Sequence, residues 1–157
     1  MTDLKKGVID LGNYTVDRNS TLQDFESAGF YGDKKYIGFC NMRKVNIEET
    51  LFDVDVYFYY GKVSRVVLNP VLEGDPYPDA HTQNVKKCMC LDFLKKHLGE
   101  PTTKRQSTVS AVMGYAFDWG TIDIVVFIGG NSENEGGIID IRYKKEMKNE
   151  EIEKIAP

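Results

Sequence analysis

Carboxylates at close spacing are the residues of this chain that come nearest to a chemical motif. Asp53 and Asp55 lie two positions apart, and Asp118, Asp123 and Asp140 follow in the second half. Carboxylates two residues apart in a strand share one face, where they can transfer protons or bind a divalent cation. Outward aspartates also protect strands from pairing with other sheets, and acidic patches speed association with basic partners. We favour the solubility role and keep a small metal-dependent hydrolase as an alternative.

The cysteines and histidines do not have the spacing of a metal or catalytic site. Cys88 and Cys90 are two positions apart on a predicted helix, so their side chains point to different sides, and Cys40 is remote. His81 and His97 are not paired at a ligand spacing, and no Ser or Cys has the context of a nucleophile elbow. We therefore predict reduced structural thiols, no cofactor, no metal site and no catalytic residue.

Length and composition describe a globular chain with a single domain, residues 1–157. The chain is 41% hydrophobic and 11% aromatic, enough to bury a core without disulfides. Its net charge of −4 argues against nucleic-acid binding, which needs a basic stripe, and mildly favours a basic protein partner. No apolar stretch approaches a membrane span and no signal peptide is visible, so we expect a cytoplasmic protein if Met1 is the native start.

A predicted β-hairpin over residues 52–69 positions the acidic pair. Its first strand alternates apolar and polar residues, and Gly61-Lys62 suits a two-residue turn that pairs Val56 with Val67. The outer face then collects Asp53, Asp55, Tyr57, Tyr59, Ser64, Val66 and Leu68. Tyrosines bury much area and keep a hydroxyl for hydrogen bonding, so this face is a candidate protein-binding surface. The alternative is that a helix or loop of the same chain covers it.

The rest of the first half is predicted to hold a short helix and further strands. Ser20 to Gln23 has the spacing of a capping box, which predicts a helix near 21–28. An edge strand is expected over 8–11, and two strands, or a strand and a loop, over 34–40 and 43–51. Residues 70–81 contain three prolines and are predicted to be a linker.

The second half repeats the order of helix and strands. Apolar residues at 85, 88, 91, 94 and 98 predict a helix over 82–98 with one buried stripe, ending at Gly99. A hairpin of 110–117 and 121–128 is expected to turn at Trp119-Gly120, which pairs Phe117 with Ile122. A last strand over 138–143 directs Ile139, Ile141 and Tyr143 inward.

Trp119 has two interpretations at the tip of this second hairpin. An exposed tryptophan is a frequent interface hot spot, whereas a tucked one avoids leaving a large apolar side chain in water. We favour inward packing and retain Trp119 as a candidate partner-binding residue beside the aromatic and acidic face.

The element order predicts an α+β fold of antiparallel sheet meanders with helices packed on one face. The same order in residues 1–69 and 82–143, on either side of the linker, indicates a tandem pseudo-repeat. The other sheet face is expected to be partly open, as antiparallel sheets allow.

The two halves carry a resemblance to a known fold. A helix ending in Leu98-Gly99-Glu100-Pro101-Thr102 before aromatic strands resembles the half-repeat of the β-lactamase-inhibitor-protein-like fold and of small outer-membrane-assembly lipoproteins of the SmpA type. The run 54–63 is similar to the strand, turn and strand of such units, and the resemblance covers 20–69 and 82–143. It implies a sheet face that binds another protein. Ala28-Gly29-Phe30 replaces the expected Gly-x-Pro ending of the first helix, and neither a lipoprotein leader nor a disulfide pattern is present, so secretion and β-lactamase binding are not implied.

The function that these observations favour is non-enzymatic protein binding. In general character the chain is similar to bacterial toxin-immunity proteins, an analogy of size, acidity and fold class. We expect an inhibitor or immunity protein that binds a partner protein, with Asp53, Asp55, Tyr57, Tyr59 and Trp119 as the candidate contact residues. A homo-oligomeric structural module that pairs its open sheet with itself is the third alternative.

Overall fold

The computed structural model describes residues 1–25, 30–32, 37–74, 80–107, 110–127 and 137–144. The predicted helix residues 26–28 and the predicted linker residues 75–79 lie outside this part of the chain. The described elements are two short 3₁₀-helices (Leu4–Lys6 and Leu22–Phe25), α1 (Ala80–Leu98), β1 (Ile9–Asp10), β2 (Thr15–Val16), β3 (Phe30–Gly32), β4 (Ile37–Ile47), β5 (Thr50–Tyr59), β6 (Lys62–Pro70), β7 (Thr103–Gln106), β8 (Ser110–Phe117), β9 (Gly120–Phe127) and β10 (Ile138–Tyr143).

Eight of these strands form one antiparallel sheet. The strand order is β3-β4-β5-β6-β10-β9-β8-β7, while β1 pairs only with β2. Two runs of four consecutive strands therefore meet where β6 pairs with β10, with Leu68 opposite Ile139 and Val66 opposite Ile141. Within the described residues the fold is α+β, mostly antiparallel sheet with one α-helix, as the sequence predicts at this level.

The inner face of the sheet carries the hydrophobic core. Its side chains alternate along the central strands and are almost fully buried: Phe52, Val54, Val56, Phe58, Val66, Leu68, Ile122, Ile124, Ile139 and Ile141. Helix α1 contacts β6, β9 and β10, and the Phe93 ring packs edge-on against Phe52 at 5.1 Å between centroids. Phe25, from the N-terminal segment, packs against Phe58 at 5.4 Å. Full burial of each such side chain stabilises the fold by about 1.5–3 kcal/mol.

Helix α1 confirms the predicted helix and part of its predicted buried stripe, since Leu94 is buried and Leu91 and Leu98 pack against the core. Val85 and Cys88, both assigned to the buried stripe, are exposed, whereas the buried residues are Lys86, Cys90, Phe93 and Leu94. Gln83 anchors the first turn, because its side-chain amide donates to the Phe127 carbonyl (2.8 Å) and accepts from the Phe127 N–H (2.9 Å). This pair of bonds ties the first turn of α1 to the end of β9. The helix ends before Gly99, which is left-handed at φ 77°.

Two predictions for the first half are wrong in detail. Strand β4 is continuous over eleven residues with a bulge between Met42 and Val45, and the predicted strand over 43–51 is interrupted by a turn at Glu48-Glu49. Both glutamates have positive φ, 46° and 73°, as a type I′ hairpin turn requires. A two-residue turn brings β4 directly back into β5.

The predicted capping box also differs. Only the 3₁₀-helix Leu22–Phe25 is described, and Asp24 Oδ2 accepts the Thr21 N–H at 2.9 Å. The Ser20 hydroxyl instead accepts the Asp17 N–H at 2.9 Å. The cap therefore begins one residue later than the Ser20 to Gln23 pattern predicts, because Ser20 is already committed to the preceding turn.

Candidate functional site

The turn of the first hairpin lies one residue earlier than predicted. Tyr59 pairs with Lys62, so Tyr60-Gly61 is the two-residue connection. Both residues have positive φ, 52° and 75°, which is the type I′ geometry whose twist matches that of the flanking strands. The Tyr60 ring packs against Tyr59 at 4.6 Å between centroids, a contact that helps to hold a non-glycine residue in this conformation.

A bulge beyond the turn decides which β6 side chains reach the outer face. Phe58 pairs with Val63, but Tyr57 pairs with Arg65, so Ser64 is an extra residue in β6. The Ser64 hydroxyl donates to the Tyr57 carbonyl at 3.2 Å across the bulge. One inserted residue flips every later side chain to the other face. The prediction that Val66 and Leu68 face outward is therefore wrong: both are completely buried in the core.

The predicted residues of β5 form one surface, which we call the acidic-aromatic patch: Asp53, Asp55, Tyr57 and Tyr59. All four are half-buried and alternate with fully buried core residues. Asn41 Nδ2 donates to Asp55 Oδ1 at 2.6 Å, and the Lys44 N–H donates to Asp53 Oδ1 at 3.0 Å beside the β4 bulge. The patch lies on the outer face of the sheet, opposite the face that contacts α1. Its side chains are held in place by β4 and remain partly exposed.

Trp119 lies apart from this patch. It is only 7% exposed, and its indole N–H donates to the Lys5 carbonyl at 2.8 Å. Its ring stacks on Phe117 at 5.2 Å and lies directly over Gly7, where an added Cβ would come within 2.9 Å of the indole. Gly7 also has φ 70°, so this position needs glycine twice over. The side chain of Trp119 therefore packs inward, as the second of the two interpretations predicts.

The second hairpin turns at Asp118-Trp119, again one residue before the predicted position. Phe117 pairs with Gly120 and Tyr115 with Ile122, two residues away from the predicted partners. A shift of two keeps every side chain on its predicted face. Gly120 is required there, since a Cβ would collide with the Arg142 carbonyl of β10.

Two aspartates of the second meander lie on the outer face. A solubility role would require them to be exposed to solvent, but they are largely buried. The side chains of Asp140 and Asp123 are 7% and 10% exposed and stand directly opposite each other on β10 and β9. Asp140 accepts from Arg65 Nε (2.7 Å) and Nη2 (3.3 Å) and from Arg142 Nε (3.1 Å). Asp123 accepts from Arg105 Nη2 at 3.4 Å. We call Arg65, Arg105 and Arg142 the guanidinium cluster.

Asp123 is the less well compensated of the two carboxylates. Gly114 on β8 makes room for it, because a Cβ there would overlap the Asp123 carboxylate. Burial raises the pKa of Asp123, the charge of Asp140 adds to the rise, and Arg105 and Arg142 oppose it. The raised pKa means that the folded protein destabilises the ionised form of Asp123 relative to the unfolded chain.

Arg65 links the acidic-aromatic patch to the guanidinium cluster. Its guanidinium lies 5.3 Å from the centre of the Tyr57 ring, within the range of a cation–π interaction. Burial alone would lower the pKa of Arg65, but its bond to Asp140 and the charges of Asp140, Tyr57 and Asp55 raise it. Burial, with the charge of Asp55, raises the pKa of Tyr57, so its hydroxyl stays protonated at neutral pH. The site offers hydrogen bonds, charges and rings on one rigid surface.

The remaining candidates for chemistry do not converge on this site. Cys88 is exposed on α1, whereas Cys40 and Cys90 are buried. Within the described ranges, no group of three or more His, Cys, Asp or Glu side chains has the geometry of a metal site. A cleft of about 330 Å³ lies between α1 and the Glu48-Glu49 turn, lined by Glu48, Glu49, Thr50, Met89, Asp92, Phe93 and Lys96. It contains none of the predicted contact residues.

The sequence reasoning missed the guanidinium cluster. The predicted turn at Gly61-Lys62 would pair Phe58 with Arg65 and so place Arg65 on the inner face, and the local sequence gives no sign of the Ser64 bulge that reverses this. A usable signal does exist. Buried aspartates at two directly paired strand positions require positive partners, and an arginine two residues after Asp140 is suitably placed. Only the pairing of β6 with β10 identifies Arg65 as the second partner.

Comparisons of the chain with protein-family models, with curated proteins and with solved structures find no match. Among the described helices, none combines the length and apolar character needed to cross a membrane.

Proposed function

We propose that this protein is a non-enzymatic binding protein that uses the outer face of its sheet to bind another protein. The observation that carries the proposal is the acidic-aromatic patch: Asp53, Asp55, Tyr57 and Tyr59 are aligned on one strand and half-buried. Tyrosine and arginine are the residue types that dominate the binding energy of protein interfaces. Preorganised side chains lose little entropy on binding, and here Asn41 and Arg65 hold two members of the patch.

An apolar row on the outer face supports the same function. Val112, Val125 and Ile138 form one cross-strand row on β8, β9 and β10, and each is only partly buried. Apolar centres surrounded by polar and charged groups are typical of protein interfaces. Arg105 on β7 lies opposite Val112 and extends the row at one end, and Arg142 lies on β10, the strand of Ile138.

The carboxylates that the sequence left open for metal binding favour recognition over hydrolysis. Asp55 accepts from an amide, and Asp123 and Asp140 accept from guanidinium groups. Arginine beside a carboxylate repels a divalent cation and competes for its oxygens. A metal-dependent hydrolase is therefore the weaker proposal.

The partner class follows from the fold and from the charge of the patch. The strand order supports a tandem pseudo-repeat with helices on one sheet face, in which two four-stranded meanders meet at β6 and β10. On this basis we propose a cytoplasmic, bacterial inhibitor or toxin-immunity protein, similar in architecture to the β-lactamase-inhibitor-protein-like fold. Asp53 and Asp55 favour a basic surface on the partner, because complementary charge speeds encounter.

The test is affinity capture of a partner protein from a lysate of the source organism, with a control variant of the same net charge. Asp53→Lys/Asp55→Lys and the control Asp92→Lys/Asp118→Lys both raise the formal net charge from −4 to zero, but Asp92 and Asp118 are exposed away from the patch. We expect a basic protein to be retained by the wild type and the control, released by salt, and lost with the patch variant. Equal retention by all three proteins would refute a role for the patch, once circular dichroism has shown that all three are folded.

A further inference from the structure

The guanidinium cluster lies over two largely buried carboxylates of the outer face. Three arginines, Arg65, Arg105 and Arg142, surround two carboxylates, Asp123 and Asp140. The two carboxylates are directly opposed across β9 and β10, which puts their Cβ atoms about 5 Å apart. The three guanidinium groups that bind them are therefore gathered into one small region of the outer face.

The positive groups, and not the carboxylates, are what a partner meets. The side chains of Arg105 and Arg142 are 71% and 62% exposed, while the carboxylates beneath them are at most 10% exposed. Arg65 is covered to a greater degree, at 32% exposed, and donates two bonds to Asp140. The cluster therefore presents Arg105 and Arg142 to solvent and uses Arg65 as its base.

Both exposed arginines have donors to spare for a second anion. A guanidinium carries five N–H groups, and in the described residues Arg105 and Arg142 each donate one bond to a carboxylate. The carboxylate beneath each arginine orients it, which lowers the entropy lost when a further anion binds. Planar guanidinium groups bind carboxylates with two parallel bonds.

We propose that Arg105 and Arg142 form a second subsite of the outer face, which binds carboxylate side chains of the partner protein. This inference rests on the proposed function and changes the description of the partner. Its surface carries basic groups opposite Asp53 and Asp55, and acidic groups opposite the guanidinium cluster. Charge complementarity of both signs fixes the orientation of the partner.

Two synthetic peptides of opposite charge test this subsite separately from the acidic-aromatic patch. The acidic probe is a capped peptide of alternating Glu and Ser, and the basic probe contains Lys in place of Glu. Each is titrated into ¹⁵N-labelled protein while backbone amide and arginine Nε–Hε signals are followed by NMR. We expect the acidic probe to shift the Nε–Hε signals of Arg105 and Arg142 saturably, and the basic probe to shift amides of β5.

A matched pair of variants on β7 supplies the control. Arg105 faces outward, whereas its neighbour Lys104 is opposite Met113 and belongs to the other face. Arg105→Gln is expected to weaken binding of the acidic probe about tenfold, and Lys104→Gln to leave it unchanged. Because the Arg105 side chain is mostly exposed, we expect Arg105→Gln to fold, and well-dispersed amide signals would verify this. Arg142→Lys, which retains the charge but not the planar fork, is expected to weaken binding less than Arg142→Gln.

Three outcomes would overturn the subsite: no saturable shift with the acidic probe, shifts confined to other surfaces, or equal weakening by Lys104→Gln. The proposed function has its own readout, because Asp53→Asn/Asp55→Asn should abolish the response to the basic probe only. If the acidic probe binds and the basic probe does not, the subsite is supported and the proposed binding role of the acidic-aromatic patch is refuted.

Discussion

The bond between Arg65 and Asp140 should be the strongest single polar contact across the seam between β6 and β10. Arg65 donates twice to a carboxylate that is 7% exposed, at 2.7 Å and 3.3 Å. Hydrogen bonds to charged groups contribute about 1.5–3 kcal/mol, and removing one partner of a buried pair costs about 3–5 kcal/mol. Asp140 keeps one bond from Arg142 when Arg65 is lost. We therefore expect Arg65→Ala to lower the free energy of unfolding by about 3 kcal/mol.

A double-mutant cycle isolates the pair from the other effects of each substitution. Unfolding in urea is measured for the wild type, Arg65→Ala, Asp140→Ala and the double variant, and the coupling energy is expected to be about 2 kcal/mol. The parallel cycle for Arg105 and Asp123 is the control, since that pair has one bond of 3.4 Å and an arginine 71% exposed. Its coupling should stay below about 1 kcal/mol. Equal coupling in the two cycles, or less than about 0.5 kcal/mol for Arg65 and Asp140, would refute the burial argument.

Three further predictions concern the carboxylate of β9, a turn and the thiols. Because burial raises the pKa of Asp123, its contribution to stability is present below the unfolded pKa of about 3.9 and is lost as the pH rises through the folded pKa. Asp123→Asn should therefore gain stability relative to the wild type between about pH 3 and 7 in urea titrations, and a loss over that range would contradict this sign. Replacing Glu48-Glu49 with Asn-Gly should raise the free energy of unfolding by about 1 kcal/mol, because both positions have positive φ; an unchanged midpoint in denaturant would count against this strain. Burial raises the pKa of the Cys90 thiol to about 12 and also raises that of Cys40, so a disulfide reagent should label only the exposed Cys88 in native protein; fast labelling of two or three thiols would disprove this burial.

The sequence predicts the central strands of the sheet because these strands have strong local signals, whereas it does not predict β3 and β7. Alternation identified β5 and β10, including the inward Ile139, Ile141 and Tyr143, and α1 was located between a proline-rich segment and Gly99. These signals depend on residues that are close in sequence. The exposure of Val85 and Cys88 on α1 could not be predicted in this way, because the helix also depends on long-range contacts such as that of Gln83 with Phe127, 44 residues away.

The two hairpins show how turn errors act on the faces of a sheet. Moving the turn by one residue, to Tyr60-Gly61 or to Asp118-Trp119, changes partners by two and leaves the faces intact. The acidic-aromatic patch was therefore found with the wrong turn. A tyrosine at positive φ is uncommon, and nothing in the local pattern ranks Tyr60-Gly61 above Gly61-Lys62.

The Ser64 bulge is the local feature on which the chemistry of the outer face depends. Without the extra residue, Arg65 would point into a core formed by Val56 and Phe58, and Val66 would face outward. With it, Arg65 reaches both Tyr57 and Asp140, which joins the acidic-aromatic patch to the guanidinium cluster across the seam between the two meanders. Only in this register does Arg65 on β6 reach the buried carboxylate of Asp140 on β10. One inserted residue thus directs Val66 and Leu68 into the core and Arg65 to the outer face.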